Sequence, residues 1–99
     1  MESKRKKIYI SGRISGIEEQ APQLFEEAES YLNNRGYEVV NPMKLPHNHD
    51  KSWESYMKED IKALMDCDEI YMLKGWSLSR GACTEYDLAL SLKMTVTHQ

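Results

Sequence analysis

Short β-branched and aromatic segments alternate with longer amphipathic segments along the chain, and this alternation restricts the fold more than any other feature. The strand-like segments cover residues 7–11, 37–40, 69–73 and 94–97. Between them, over residues 21–35, 52–66 and 79–93, apolar side chains recur three and four positions apart, as on one face of a helix. The β-α-β-α-β-α-β order predicts an α/β, flavodoxin-like or Rossmann-like three-layer sandwich, with a short parallel sheet flanked by helices.

Local signals set the ends of the three helices. Pro22 suits a first helical turn and Gly36 a C-terminal cap, while Ser52 and Ser79 stand at the N-cap positions of the second and third helices. Residues 43–51 are predicted to form an irregular loop. The predicted inward stripes are Leu24, Phe25, Ala28, Tyr31 and Leu32, then Trp53, Met57, Ile61 and Leu64, then Ala82, Tyr86, Ala89 and Leu90.

Length and composition exclude several classes of protein. At 99 residues we expect one domain over 1–99, and 13 basic against 16 acidic residues argue against nucleic-acid binding. No apolar run approaches the ~20 residues that span a bilayer. The apolar segment after the basic residues 4–7 is too short for a signal peptide, so we expect a cytoplasmic location. We interpret the basic run itself as a solvated flank. Cys67 and Cys83 lack metal-ligand spacing and are interpreted as reduced thiols.

Two carboxylates occupy helix positions where apolar side chains are expected. At 100° per residue, Asp60 projects between Met57 and Leu64, and Glu85 projects beside Ala82. A carboxylate that faces a core must be paired, hydrogen-bonded or protonated, and near a cleft such a residue is a candidate for catalysis. The alternative is that either residue merely lies at the edge of the apolar stripe of its helix.

Two small-residue loops follow the first and third predicted strands. In a 2-1-3-4 strand order these strands are neighbours, so both loops border the crevice in which open parallel sheets bind ligands. The loop before the third helix also offers free backbone N–H groups to an anion. The loop after the first strand is neither a dinucleotide fingerprint nor a P-loop. The candidate binding residues are Ser11, Gly12, Arg13, Gly16, Gly75, Trp76, Ser79 and Gly81.

The remaining notable polar and aromatic residues are two histidines and three aromatic side chains. His47 and His49 face the same side of an extended stretch, but no third metal ligand is evident nearby, so we interpret them as part of a mobile loop covering the site. Trp53 and Tyr56 are predicted to lie in the core. Trp76, in a loop at the mouth of the crevice, is the better candidate for stacking on a ligand.

A set of motifs from residue 7 to about residue 96 resembles the nucleoside 2-deoxyribosyltransferase superfamily, and in particular a small, largely uncharacterised branch common in bacteria and phages. The motif that carries most of the likeness is Ser79-x-Gly81-Ala82-x-x-Glu85 with the upstream Asp60. The others are Tyr9-Ile10-Ser11-Gly12 with Gly16, Gly36-Tyr37, Asn41-Pro42, Cys67-Asp68 and Gly75-Trp76.

The resemblance implies cleavage or exchange of the N-glycosidic bond of 2′-deoxynucleosides or their 5′-monophosphates. Glu85 matches the glutamate nucleophile, Asp60 the aspartate that engages the sugar and assists the departing base, and Tyr9 the tyrosine that orients the nucleophile. Ser79, with Gly12 and Gly16, matches the groups that hold a 5′-phosphate. No cofactor and no metal are implied.

Two departures from the family pattern concern the same site. Arg13 stands where a small residue or proline is usual in that branch. Characterised relatives complete each site with a residue from a neighbouring subunit's C-terminal region, and no residue of 95–99 can be assigned to that role. Completion of each site by a neighbouring subunit implies a homo-oligomer with sites near subunit interfaces. The alternatives are a non-catalytic nucleotide-binding or sensing module on the same fold and a small interaction protein.

Overall fold

Four parallel strands form the sheet of this protein, in the order β2-β1-β3-β4. The computed structural model describes residues 5–99. The strands are β1 (Lys7–Ser11), β2 (Glu38–Val40), β3 (Glu69–Met72) and β4 (Thr95–His98), and the helices are α1 (Ala21–Asn34), α2 (Trp53–Met65) and α3 (Arg80–Ser91). Short 3₁₀ turns follow β2 at Pro42–Lys44 and β3 at Trp76–Leu78. The predicted fold class and strand order are confirmed.

The two faces of the sheet are covered by different helices. Ile8 and Ile10 of β1 pack with Phe25 and Leu32 of α1 on one face. On the other face, the central strands and the helices α2 and α3 form a second core. Its strand residues are Tyr9, Ile70 and Met72, and its helix residues are Leu64, Ala82 and Ala89. Because side chains alternate across a strand, β1 contributes to both cores, and this accounts for its almost continuous burial.

The helix-end predictions are confirmed by hydrogen bonds and backbone angles. Ser52 Oγ accepts the N–H of Ser55 at 3.1 Å, and Ser79 Oγ accepts the N–H of Ala82 at 3.1 Å. Gly36, one residue beyond the C-cap of α1, has a φ of 91°, a left-handed conformation that glycine adopts without steric cost. The ends of α2 and α3 nearest the cleft are therefore determined by local sequence.

The predicted stripes are too wide at their edges. Leu24, Tyr31 and Leu90 are 40%, 49% and 49% exposed, so their assignment to the core is wrong. A four-stranded sheet covers only the central part of each helical face, which leaves the flanking apolar positions in solvent. In the predicted loop, residues 42–44 form a 3₁₀ turn instead, since Asn41 Oδ1 accepts the N–H of Met43.

Residues 1–4 lie outside the described part of the chain, so the predicted solvated flank can be followed only from Arg5 and Lys6, which are exposed. Within residues 5–99, no helix is long and apolar enough to cross a bilayer.

Truncating Leu64 should destabilise the fold strongly. Leu64 of α2 is fully buried against the sheet, so Leu64→Ala should lower the free energy of unfolding by about 2–5 kcal/mol, the range for a large-to-small change in a core. Chemical denaturation measures the change. Leu92→Ala, at a position 53% exposed, is the matched control and should change it by about 0.5 kcal/mol or less. Equal losses in the two variants would contradict this packing.

Candidate active site

A cleft of about 710 Å³ opens beyond the carboxyl ends of β1, β2 and β3. Its walls come from the loops after these strands and from the facing sides of α2 and α3. The volume is typical of pockets that bind small molecules. Six of the catalytic and binding candidates from the sequence line it: Tyr9, Gly12, Asp60, Ser79, Gly81 and Glu85.

Glu85 is the deeper of the two carboxyl groups in the cleft. It lies in the second turn of α3, is 4% exposed, and meets two hydroxyl donors from β1. Ser11 Oγ donates to Oε1 at 2.7 Å, and Tyr9 Oη donates to Oε2 at 2.9 Å. Burial raises the pKa of Glu85 to about 7, while these two hydrogen bonds act in the opposite direction because they stabilise the charged form.

Asp60 has a contrasting environment on α2. Its Oδ1 is buried and has no hydrogen-bond partner among the described residues. Burial first, then the nearby charges of Glu85 and Glu59, raise the pKa of Asp60 to about 7. An unpaired carboxylate oxygen in such a position favours the protonated acid. The two carboxyl groups thus differ in their hydrogen-bond donors: Glu85 has two, and Oδ1 of Asp60 has none.

Tyr9 connects the sheet to this pair. Its side chain is fully buried, and burial, followed by the charges of Glu85 and Asp60, raises the pKa of its phenol well above the usual value. The phenol therefore stays protonated and acts as a hydrogen-bond donor to Glu85. Ser11 is also buried, and its hydroxyl is directed to Glu85. Both residues hold the Glu85 carboxylate in place.

The raised pKa values of Asp60 and Glu85 predict a pH-dependent stability. Each carboxyl binds its proton more tightly in the folded protein, so the free energy of unfolding should fall as the pH rises from about 4 to about 8. We expect a fall on the order of 4 kcal/mol, most of it from Glu85, because the partial exposure of Asp60 reduces its share. Denaturation at several pH values measures this. Glu85→Gln should make the unfolding free energy depend less on pH. Asp87→Asn, on the exposed side of α3, is the control and should leave the pH dependence unchanged. A wild-type unfolding free energy that does not vary with pH would contradict the prediction.

The two helices that carry the carboxyl groups approach each other closely at Gly81. A Cβ at this position would lie 3.0 Å from Met57 Sδ of α2, so glycine allows the contact. At the mouth of the cleft, the Arg80 guanidinium carbon lies 3.8 Å from the centre of the Trp53 ring. Ser79 and Arg80, at the start of α3, thus form a cationic and hydroxyl-bearing rim.

The loop after β1 contributes fewer side chains to the cleft than the sequence predicts. A Cβ on Gly12 would lie 2.8 Å from Leu73 Cδ1, so glycine is required there for packing. Arg13 folds back on its own loop, where its Nε donates to the Ser15 carbonyl at 3.0 Å. Its guanidinium covers Gly16, which has a φ of 88°. Neither Arg13 nor Gly16 lines the cleft.

The loop after β3 is also divided between structural and cleft-facing residues. Gly75 forms a left-handed turn with a φ of 85° and does not line the cleft. The Trp76 ring lies 4.4 Å from that of Tyr86 and 6.1 Å from that of His98, so it packs over α3 and β4. Trp76 is therefore not among the lining residues, although the sequence suggested it for stacking on a ligand.

Comparison with known proteins shows the family to which the chain belongs. Residues 6–98 match the family described as Domain of unknown function (DUF4406). The chain belongs to this family. No curated protein matches its sequence. Among solved structures, it is similar to the 2-deoxyribosyltransferase from the psychrotolerant bacterium Bacillus psychrosaccharolyticus, with a TM-score of 0.71 and 22% identity over 93% of this chain and 70% of that one. This likeness shows the fold of the DUF4406 chain and agrees with the flavodoxin-like architecture.

Several residues that line the cleft of this DUF4406 protein were not predicted from the sequence. Trp53 and Tyr56 line the cleft, and Trp53 is 37% exposed, so their assignment to the core is wrong. They stand seven and four positions before Asp60, on the same helical face, and this spacing was the signal that could have identified them. Arg80 also lines the cleft and directly follows Ser79.

The groups that could hold a metal ion lie at the edge of the cleft. His47, His49 and Glu59 place one ligand atom each within 4.8 Å of one another. His47 also lines the cleft, which agrees with the predicted position of this loop beside the site. Glu59 is the third candidate ligand, and the sequence did not reveal it because it lies 12 residues beyond His47, on α2.

Proposed function

We propose that this DUF4406 protein cleaves or exchanges the N-glycosidic bond of a (2′-deoxy)nucleoside or its 5′-monophosphate, with Glu85 as the nucleophile. The structural likeness to a 2-deoxyribosyltransferase supports the reaction class through the fold. The observation that carries the proposal is the pair of carboxyl groups in one cleft, one with two hydrogen-bond donors and the other with an unpaired buried oxygen.

The different environments of the two groups assign them different roles. The donors Ser11 and Tyr9 stabilise the charged form of Glu85, which suits a nucleophile. Asp60 lacks such donors on Oδ1 and lies near other negative charges, which suits a proton donor. Two titratable groups whose environments differ in this way are the usual basis of an acid and nucleophile assignment.

The proposed reaction has two steps. A Glu85 carboxylate oxygen bonds to the anomeric carbon, and the bond from that carbon to the base nitrogen breaks with its electron pair on the base. Asp60 gives its proton to the departing base, which leaves a glycosyl ester on Glu85. Water or the N–H nitrogen of a second base then attacks the anomeric carbon and returns a proton to the Asp60 carboxylate, while the bond from that carbon to the Glu85 oxygen breaks and releases the Glu85 carboxylate. Water makes the protein a hydrolase, and a second base makes it a transferase.

The walls of the cleft suit the other parts of such a substrate. Trp53, Tyr56 and Met57 present aromatic and sulfur-containing surfaces on which a base can pack. Ser79 and Arg80 stand at the start of α3, where the helix dipole and the free N–H groups favour an anion. We therefore assign the rim beside Arg80 to a 5′-phosphate.

Base release from a substrate panel tests this function. The purified chain is incubated with the four deoxynucleosides and their 5′-monophosphates, with and without a second free base, and the free and exchanged bases are separated by chromatography. We expect base release, faster from the monophosphates. Arg80→Ala should raise KM for these while kcat stays near the wild-type value. Arg35→Ala is the matched control, because Arg35 stacks on Tyr31 instead, at 5.5 Å.

Two outcomes would overturn parts of the proposal. The absence of base release from every substrate, by protein whose fold is verified by circular dichroism, would exclude the glycosidase. Saturable binding of a nucleotide without release would favour the non-catalytic binding module. A kcat loss in Arg80→Ala as large as in a nucleophile variant would refute the assignment of the phosphate rim.

We also propose that residues 1–99 act as one domain and assemble into a homo-oligomer. The mouth of the cleft carries Leu78, which is 71% exposed, beside the partly exposed Trp53. An exposed apolar rim is typical of a surface that contacts another subunit or a ligand. Light scattering coupled to size-exclusion chromatography should give a mass of at least twice 11.6 kDa. A monomer that releases base would show that one chain suffices.

A further inference from the structure

We propose that His47, His49 and Glu59 bind a first-row divalent cation of the Zn²⁺ type at the edge of the cleft. Two imidazoles and a carboxylate form a common donor set for Zn²⁺ and its neighbours in the first row. The site would join the loop after Pro42–Lys44 to α2, and ion binding there can be measured whether or not the reaction proposed for Glu85 takes place.

Glu59 is held so that one oxygen faces both imidazoles. Its Oε2 accepts the backbone N–H of His47 at 2.8 Å, which fixes the orientation of the carboxylate. Its Oε1 lies 2.6 Å from His47 Nδ1 and 3.3 Å from His49 Nε2. Two ring nitrogens and one carboxylate oxygen therefore converge on one point, and the other carboxylate oxygen is already paired, as is usual for metal-binding carboxylates.

The distances are close to those of a metal centre. The three ligand atoms lie within 4.8 Å of one another. A tetrahedral Zn²⁺ with ligand bonds of about 2.0–2.1 Å keeps its ligand atoms about 3.3 Å apart. Rotations of the side chains, together with a shift of the turn at Lys51, would convert the hydrogen-bonded arrangement into a coordinated one.

The surroundings of the three side chains also suit an ion. The Tyr56 ring packs against both imidazoles, at 4.6 Å from His49 and 5.2 Å from His47, and so restricts their orientations. The side chains of His47, His49 and Glu59 are 24%, 15% and 20% exposed. They are thus partly shielded, while solvent can still reach them and supply a fourth ligand.

Binding requires a defined proton movement in each ring. His49 Nδ1 accepts the N–H of Lys51 at 3.0 Å, so in the hydrogen-bonded arrangement the ring proton lies on Nε2, towards Glu59. Coordination through Nε2 moves that proton to Nδ1 and breaks the bond from Lys51. In His47 the proton moves from Nδ1 to Nε2. The turn at Lys51 must therefore shift when the ion binds.

Titration of the metal-free chain of residues 1–99 with Co²⁺ and Zn²⁺ tests the site without any substrate. We expect one ion per chain, a visible Co²⁺ spectrum of tetrahedral type, and a changed amide NMR signal at Lys51. His49→Gln and Glu59→Gln should each lower the affinity by more than about 100-fold, since even the loss of an outer partner costs 10–100-fold. Zn²⁺ should also raise the Tm of the wild-type chain but not of Glu59→Gln.

The chain offers matched controls for this experiment. His98 is the third of its three histidines and Cys67 and Cys83 are its two cysteines, so His98→Gln and the double change of both cysteines to serine should leave the affinity unchanged. The proposal is overturned if the wild-type chain binds no ion up to millimolar concentration. It is also overturned if Glu59→Gln binds as well as the wild type, or if the cysteine variant loses binding.

Discussion

Glu85→Gln should lower kcat for base release by at least about 10³-fold, because the substitution removes the carboxylate that we propose forms the glycosyl ester. Gln keeps the shape of the side chain and an oxygen that accepts from Ser11 or Tyr9, so the fold should persist. Single-turnover chromatography of free base measures the loss. Substrate binding, measured separately by calorimetry, should change far less than kcat, since the ground state does not require the nucleophile's charge.

The control for this change is Glu69→Gln. Glu69 is also buried, at 6% exposure, but it lies at the start of β3, where Tyr37 Oη donates to its Oε1 at 3.1 Å. Base release should be nearly unchanged in this variant. If Glu85→Gln retained most of the wild-type rate, or if Glu69→Gln lost as much, Glu85 would not be the nucleophile.

Asp60→Asn should lower kcat by about 10²–10⁴-fold, the range for the loss of a general acid. The wild-type rate should follow a bell-shaped pH profile centred near neutrality, because Glu85 must be charged and Asp60 protonated, and the pKa of each is about 7. Asparagine has no proton to lose in this range. The variant should therefore lack the decline in rate on the alkaline side and keep the decline on the acidic side.

The identity of the leaving base separates acid catalysis from a structural effect. An N7-methylated purine carries a positive charge and departs without a proton, so its release should be slowed much less by Asp60→Asn than that of an ordinary purine. Asp87→Asn, at an exposed position of α3, is the matched control and should leave both rates unchanged. Equal slowing of the two substrates by Asp60→Asn would show that Asp60 acts by some means other than protonating the base.

Much of the architecture could be predicted because it depends on short-range signals. The strand segments, the serine caps at Ser52 and Ser79 and the reversal at Gly36 reflect local backbone preferences. The inward projection of Asp60 and Glu85 followed from helical geometry alone. Their meeting in one cleft followed from the strand order, since β1 and β3 are neighbours and their carboxyl ends share an edge.

Side-chain direction within the loops could not be predicted in the same way. Arg13 turns back to the carbonyl of Ser15, and Trp76 packs on Tyr86, although both belong to loops that border the cleft. In a loop no period relates one side chain to the next, so the final direction depends on which distant partner is available. Trp53 was misassigned for a related reason, because an apolar face can line a cleft as well as a core.

The sequence by itself determined the α/β order, the helix ends and the two helical positions at which a carboxyl group faces inward, because each depends on residues a few positions apart. Only the tertiary structure decided what surrounds those carboxyl groups. Ser11 and Tyr9 reach Glu85 across more than seventy residues, and Glu59 comes between His47 and His49 only where α2 packs beside their loop. Such contacts join segments that are distant in the chain, and the chemistry of a site depends on them because hydrogen bonds and burial control the charge of each group.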